Sequence, residues 1–484
     1  MALCKRLIAR LDIKGSRLIK GIRFEGLRVL GDPCEAALRY ADAGADELLY
    51  VDAVASLYGR NGLAELLRTT SKKIFIPITA GGGVRSVDDA TSLLAAGADK
   101  IAVNTAAVQR PKLITELAEA FGRQCVVVSI QARRTTSSSW EVMTESGRER
   151  SSKDVLAWIQ EVQELGAGEI LITSVDQDGT CAGPDIELNK FAAEKSTVPI
   201  LVGGGFSKSG DITTSLTNNM IHGVALGAAL HKDILNINSL KQESDACDKG
   251  FSIRKCAQNL TIYDKETKSL GGLRISILDY GMGNQQSLLN SFEALGAKVK
   301  ITSDYTDLSD SSLIALPGVG AFGNGINRLK SRHLDSFIRD WVNNKRPLLG
   351  ICLGMQLLFE ESREFGLHKG LSLLKGNVEK LSGRDLNGQV IALPHVGWNR
   401  LIKKSNDLDK KDTEELDQYF VHSYAVKATE QDAITYHCQY GSDRFVAAVK
   451  KDSIAGFQFH PERSGKLGLK LMSDTCNSLI ASAS

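Results

Sequence analysis

"GADELLYVD" (44–52) and "GAGEILITSVD" (166–176) are one phrase written twice, a small glycine turn followed by an apolar run of strand length. A second phrase recurs in the same way, "IPITAGGG" (76–83) as "VPILVGGG" (198–205), and both pairs are offset by 122 residues. One offset shared by separate motifs indicates a duplicated half domain. Working outward, short β-branched runs at 6–12, 47–52, 74–80, 100–104, 125–131, 169–176, 198–204 and 223–227 alternate with amphipathic helical stretches. Eight strands with helices between them predict a parallel sheet. Their number and even spacing favour closure into an eightfold β/α barrel.

The duplication also predicts chemistry. A strand ending in glycine lets backbone N–H groups approach phosphate oxygens closely, so two triple glycines imply two phosphates, one per half. After each comes a run of small residues, "VNTAA" (103–107) and "LGAAL" (226–230), where a helix N-terminus can share the anion. The ends of strands one and five fall on the rim where such barrels do chemistry, and carry Asp12 in "RLDIKG" and Gln131 in "SIQARR". Asp12 suits a general acid or base; a carboxamide at 131 can bind but cannot shuttle protons. The loop 14–32, with its glycines and cations, reads as a mobile flap over an anionic ligand.

Composition narrows the class. The 484 residues exceed one ordinary core, so two domains are expected. Lys plus Arg number 59 against 57 Asp plus Glu, with no basic block, which argues against a nucleic-acid surface and for small-molecule partners. No tract reaches the roughly 18 apolar residues of a membrane span, and the N-terminus resembles a first strand and not a secretory signal, so a cytoplasmic address is expected. Nine cysteines without a C-x-x-C pair predict reduced thiols, and no H-E-x-x-H spacing occurs, so neither a bound metal nor a cofactor is expected.

Beyond about residue 231 the pattern changes. A closing helix is expected, then a polar linker at 257–272, then a new strand at 273–281. Within this second domain, Gly350-Ile351-Cys352-Leu353-Gly354 has the G-x-nucleophile-x-G form of a strand-to-helix elbow. The helix N-terminus favours a thiolate, and the Leu353 N–H is placed to stabilise an oxyanion. His460 and Glu462 in "GFQFHPERS" lie two residues apart, so both can point one way, the acid orienting the imidazole that serves Cys352. The turn "LPGVGAFG" (316–323), with Gly318 and Val319, offers a second oxyanion donor.

Residues 273–484 resemble class I glutamine amidotransferases of the histidine-pathway type through "DYGMGN", "LPGVGAFG", "GICLGMQLLFEES", "LPHVGWN", "FVHSY" and "GFQFHPERS". Residues 1–256 resemble the cyclase partner through "LDIKGSRLIKG", "GGGVRSVDDA", "GADKIAVNTAAV", "LGAGEILITSVDQDGT" and "VGGG". Together they resemble imidazole-glycerol-phosphate synthases fused into one chain, cyclase first, with the two domains pairing within it. The resemblance implies that Cys352, His460 and Glu462 hydrolyse glutamine held by Gln356, His422, Ser423 and Tyr424. Ammonia would then reach a phosphoribulosyl-formimino nucleotide in the barrel, yielding imidazole glycerol phosphate and an aminoimidazole-carboxamide ribotide. The implied phosphate ligands are Lys20, Gly83, Asn104 and Thr105 in one half, and Gly204, Gly205, Gly227 and Ala228 in the other. Arg6, Glu47, Lys100 and Glu169 map onto the family's ammonia gate, and Asp99 and Arg463 onto its interface pair.

One departure stands out. The family places aspartates at both strand ends, whereas this chain has Gln131 at the second. Loss of that carboxylate is expected to slow cyclization by roughly 10²–10⁴, the usual worth of a positioned acid or base. Asp176 and Asp178 are the candidates to compensate, and restoring an aspartate at 131 is expected to raise the rate. The alternative reading is a paralogous ammonia-delivering amidotransferase that acts with a synthetase on a phosphorylated or nucleotide-linked sugar.

Overall fold

The computed structural model describes residues 3–55, 62–245, 251–255, 269–404 and 416–483, so most of the expected linker, 257–268, lies outside the described residues. The chain forms two compact units, one of residues Ala2–Leu260 with Val390–Trp398, the other of Thr261–Gln389 with Asn399–Ser484. The short stretch Val390–Trp398 thus belongs to the barrel unit, where Trp398 Nε1 donates to the Asp46 carbonyl at 3.0 Å.

The first unit is the expected closed barrel. Its strands are β1 (Cys4–Lys14), β4 (Glu47–Asp52), β5 (Ile78–Gly81), β6 (Lys100–Val103), β7 (Val126–Arg134), β10 (Glu169–Ser174), β11 (Ile200–Gly203) and β12 (Ile221–Leu226). All neighbours run parallel, and β12 closes on β1 with Arg6 opposite Gly223. The third strand is shorter than its apolar run suggests, because Pro77 brings no N–H to a ladder and only its carbonyl is used, by Leu48.

The stretch 14–32 is a correction. It is not a flap of loop but an antiparallel hairpin, β2 (Arg17–Ile22) and β3 (Glu25–Gly31), folded back from the end of β1. Phe24 at its turn packs on Met143 and Val175, which anchors the tip. The same device, unforeseen in the sequence, follows β7: β8 (Trp140–Thr144) and β9 (Glu149–Asp154) fold back on it. Each half barrel therefore opens with one long strand and one hairpin.

Period-two alternation sorts the interior into layers. On β1 the inward series is Arg6, Ile8, Arg10, Asp12. Ile8, Leu49, Ala102, Val127, Leu171, Leu201 and Ala225, one per strand from seven of the eight, form the apolar middle. Charged residues lie on either side of it.

The second unit carries an eight-stranded sheet in the order Lys298–Thr302, Arg274–Leu278, Leu313–Leu316, Leu348–Ile351, Ile454–Phe457, Asp443–Lys451, Ile434–Tyr440, Ile402–Lys403. The first five run parallel and the remainder antiparallel. Its strands leave their C-terminal ends beside helices, so residues just past Ile351 and Phe457, which are neighbouring strands, emerge together. Among the described residues no helix is long and apolar enough to cross a membrane.

Candidate active sites

Cys352 stands between strand Leu348–Ile351 and helix Leu353–Leu357 at φ 53°, ψ −111°. A non-glycine residue there is strained, and the strain turns the thiol off the sheet end. The flanking glycines are required by space: a Cβ on Gly350 would come within 2.8 Å of the Gly354 carbonyl oxygen, and one on Gly354 within 1.8 Å of that of Leu316.

His460 Nδ1 and Glu462 Oε1 are 2.7 Å apart, both buried. Burial opposes a charge on the imidazole, but Glu462 and then Cys352 outweigh it and raise its pKa well above the usual histidine value. Among the described residues, the buried His460 Nε2 has no hydrogen-bond partner of ordinary geometry. Cys352, His460 and Glu462 are thus buried beside one another at the end of the sheet.

Gln356 donates to the Tyr424 carbonyl at 2.8 Å and to Gln458 Oε1 at 3.0 Å, while Gln458 Nε2 lies 3.8 Å from the Cys352 sulfur. Gln458 was missed in the sequence. Its signal was there, since it lies two residues before His460. His422 is buried and neutral, its pKa lowered to about 3 by burial, and its Nδ1 pairs with the Tyr424 carbonyl at 2.9 Å. The Ser423 carbonyl accepts from Leu381. The turn holding Gly318 and Val319 is fixed from below by Tyr280, whose hydroxyl donates to the Pro317 carbonyl at 2.6 Å. In this conformation the Leu353 N–H donates to the Gly318 carbonyl at 3.3 Å, so the turn itself fills the expected oxyanion position.

In the barrel the lower layer is a closed ring. Arg6 pairs with Glu47 at 2.9 Å and with Glu169, and Lys100 with Glu47 at 2.7 Å and Glu169 at 2.6 Å. Two cations facing two anions leave no net charge, which makes full burial tolerable. Burial pushes the Glu169 carboxyl up, but Arg6 and Lys100 bring it down to about 2. Asp99 accepts from the Ile78 N–H at 2.8 Å, and in the other unit Arg463 donates to Ser287 at 2.5 Å.

Above the apolar layer, Asp12 is held by Arg10 Nε at 2.8 Å and Lys20 Nζ at 2.6 Å, and Lys20 also meets Asp178 at 2.9 Å. Burial works against the Asp12 charge, yet Arg10 and Lys20 hold its carboxyl well below the usual range. Gln131 is buried too, and its Oε1 has no hydrogen-bond partner among the described residues. Of the two candidate substitutes, Asp178 lies in this chamber, whereas Asp176 is engaged by the Arg134 N–H at 2.8 Å.

The first glycine cradle opens on a cavity of about 260 Å³ lined by Gly81–Gly83, Asn104, Thr105, Ser129 and Gln131. The second, with Gly204, Gly205, Gly227 and Ala228, encloses only about 20 Å³. The resemblance groups Lys20 with the first cradle, but the structure places it by the second. It does not line the first cavity; its Nζ would lie 3.8 Å from a Cβ on Gly227. The hairpin folds β2 along β1, whose neighbour β12 ends just before that glycine. Arg10 was missed, though a charge on the inward face of an apolar strand, two residues before Asp12, was its signal.

Two family models match the chain: "Histidine biosynthesis protein" over residues 6–236 and "Glutamine amidotransferase class-I" over 276–476. The barrel is similar to imidazole glycerol phosphate synthase subunit HisF of Legionella pneumophila, 57% identical over 203 residues, 42% of this chain and 96% of the relative. The same subunit of Synechococcus sp. (strain CC9902) is 46% identical over 255 residues, 51% of this chain and 98% of the relative. That of Myxococcus xanthus is 43% identical over 239 residues, 49% of this chain and 94% of the relative. The chain belongs to the imidazole glycerol phosphate synthase family, with a HisF-type cyclase barrel followed in the same polypeptide by a class I glutamine amidotransferase domain.

Proposed function

We propose that this chain is a glutamine-dependent imidazole-glycerol-phosphate synthase of histidine biosynthesis. The observation that carries the reading is the buried Cys352, His460 and Glu462 cluster in one unit of a chain whose other unit is a HisF-type barrel. The Cys352 sulfur attacks the amide carbon of glutamine. As the C–N bond breaks, His460 gives the leaving nitrogen its proton and ammonia departs. Water then hydrolyses the glutamyl thioester to glutamate. For Leu353 to serve the oxyanion, the Gly318 carbonyl has to turn away from it, so glutamine hydrolysis waits on that movement.

Ammonia is used in the barrel. The ring of Arg6, Glu47, Lys100 and Glu169 serves as its gate and opens by exchange of ion pairs. The nucleotide's two phosphates rest on the two glycine cradles, with Asn104 and Thr105 at one and Lys20, Gly227 and Ala228 at the other. Asp12 acts on the ring-closing atoms between them. Along the chain the domain limits are 1–256 and 273–484, with the segment Val390–Trp398 of the second packed into the barrel unit. A cytoplasmic location follows from substrates too strongly charged to cross a membrane unaided.

The test is purified protein with glutamine and the phosphoribulosyl-formimino nucleotide, read by formation of imidazole glycerol phosphate and by complementation of a histidine auxotroph. Cys352→Ala is expected to abolish the glutamine-dependent reaction and leave that with ammonium salts intact. Gln131 favours one second reading, ammonia delivery to a phosphorylated sugar; glutamate release without imidazole product would support it.

A further inference from the structure

The centre of the barrel differs between halves in a way that Gln131 alone does not explain. In the ladder, Arg10 lies opposite Leu49 and Asp12 opposite Val51, while Ser129 lies opposite Leu171 and Gln131 opposite Thr173. Leu49 and Leu171, and Val51 and Thr173, are separated by the 122 residues of the repeat. Arg10 is therefore the counterpart of Ser129, as Asp12 is of Gln131. One half presents an arginine and an aspartate where the other presents two uncharged groups.

Arg10 is buried, 4% exposed, and reaches across the axis: Nε meets Asp12 at 2.8 Å, and Nη1 meets Thr173 Oγ1 on β10 at 3.2 Å. Its guanidinium stands 5.5 Å over the Phe24 ring. Arg10, Asp12, Lys20, Gln131, Arg148 and Asp178 line one chamber. Arg10 also borders the second cradle, and Gln131 the first, so the pair stands between the two expected phosphate sites. An always-charged guanidinium in this place would capture a carboxylate introduced across the chamber.

Resting on the synthase reading, we propose that Arg10 is a positioning residue coupled to Gln131. It orients Asp12 as a fixed carboxylate and supplies the chamber's permanent cation, so that Arg10 with Gln131 replaces a two-carboxylate centre, and neither position can be exchanged alone. An aspartate placed at 131 would draw Arg10 off Asp12, which contradicts the simple expectation that restoring the acid raises the rate. Asp12 is faced by Arg10 on its own strand, Lys20 from β2, Asp178 from the loop after β10, Arg148 from the turn before β9 and His231 after β12. Lys20 remains in every variant below, so a shift in Asp12 titration reports Arg10.

The experiment is a double-mutant cycle on the full chain: Arg10→Ser, Gln131→Asp and both, with Arg10→Lys as the conservative control. Product formation is followed with ammonium salts, which bypass Cys352, and glutamine hydrolysis is measured as the check that the chain is intact. Each single exchange is expected to lower kcat at least tenfold, and the double exchange to return to within about threefold of the parent, the tenfold or larger loss being the scale of a positioned proton-transfer group. Arg10→Ser is expected to move the acid limb of kcat/KM, and the carboxyl ¹³C midpoint of Asp12 assigned through Asp12→Asn, up by at least about one pH unit, as loss of an adjacent cation does. A Gln131→Asp rate gain without change at 10, additive effects, or an unmoved Asp12 midpoint would each overturn the proposal. A moved midpoint with no imidazole product from any variant would instead reject the synthase reading and leave the Arg10 assignment standing.

Discussion

The two half barrels share a backbone and divide its chemistry unequally. Both open with a long strand and a hairpin, and both end a strand in glycines of left-handed φ, +100° and +75° at Gly82 and Gly83, +98° and +86° at Gly204 and Gly205. Yet at matching positions the first half holds Arg10, Asp12 and Asp52, and the second Ser129, Gln131 and Ser174. The first cradle is open and the second nearly closed. Duplication preserves what the backbone needs, the turns and the register, while side chains pointing into the chamber are free to diverge.

The sharpest way to break the comparison is to remove the central polar group of each half, Asp12 in the first and Gln131 in the second. Asp12→Asn is expected to lower ammonium-dependent product formation by roughly 10²–10⁴. Glutamine hydrolysis measured alongside should persist. If Gln131 variants that preserve Arg10 lose as much, the halves are equal partners after all.

Charge should make the same division visible in stability. Lys20→Met removes the direct ion-pair partner of Asp178 and leaves Asp12 with Arg10 alone, and is expected to cost about 3 kcal/mol in urea unfolding. Gln131→Met removes a buried oxygen that has no donor among the described residues, and is expected to lie within about 0.5 kcal/mol of the parent or to stabilise.

A smaller contrast lies in the glycines. A Cβ on Gly82 would meet the Asp52 carbonyl oxygen at 2.3 Å, whereas on Gly204 it would meet that of Ser174 at 2.8 Å. Both alanines are strained by φ, and Gly82→Ala is expected to cost about 2 kcal/mol against about 1 for Gly204→Ala. Thermal unfolding of the two variants decides the order.

The smallest effect is that of pH, because two acids of the first half titrate with opposite sign. The Asp12 carboxyl is depressed, so its contribution is present above the ordinary value of about 3.9 and is lost as pH falls through the folded value. The Asp52 carboxyl is raised by burial, so its contribution is present below the ordinary value and lost as pH rises through the folded one. Melting between about pH 2 and about 6 should show the Asp12→Asn deficit shrinking in acid and Asp52→Asn gaining on the parent as pH rises.

Much of this was legible along the chain. Period-two runs and a repeated offset are local, so eight strands, their closure and the triple glycines could be read directly. The elbow at Cys352 and the His460, Glu462 pair were legible because their geometry is set within a few residues. Arg10 was not, since its meaning depends on Thr173, far along the chain, meeting it across the barrel. The 14–32 hairpin was misread as a loop because its cations and glycines mask a strand pattern that only pairing with β1 stabilises.

Sequence by itself therefore determined the barrel, the second α/β domain, the elbow that carries Cys352 and the pairing of His460 with Glu462, all of them patterns in neighbouring residues. Tertiary structure alone decided that Asp12 shares Arg10 and Lys20, that the Gly318 carbonyl occupies the Leu353 N–H, and that the two cradles differ in size. Those depend on side chains brought together from distant strands, where burial strengthens each charge and leaves every unpartnered atom consequential.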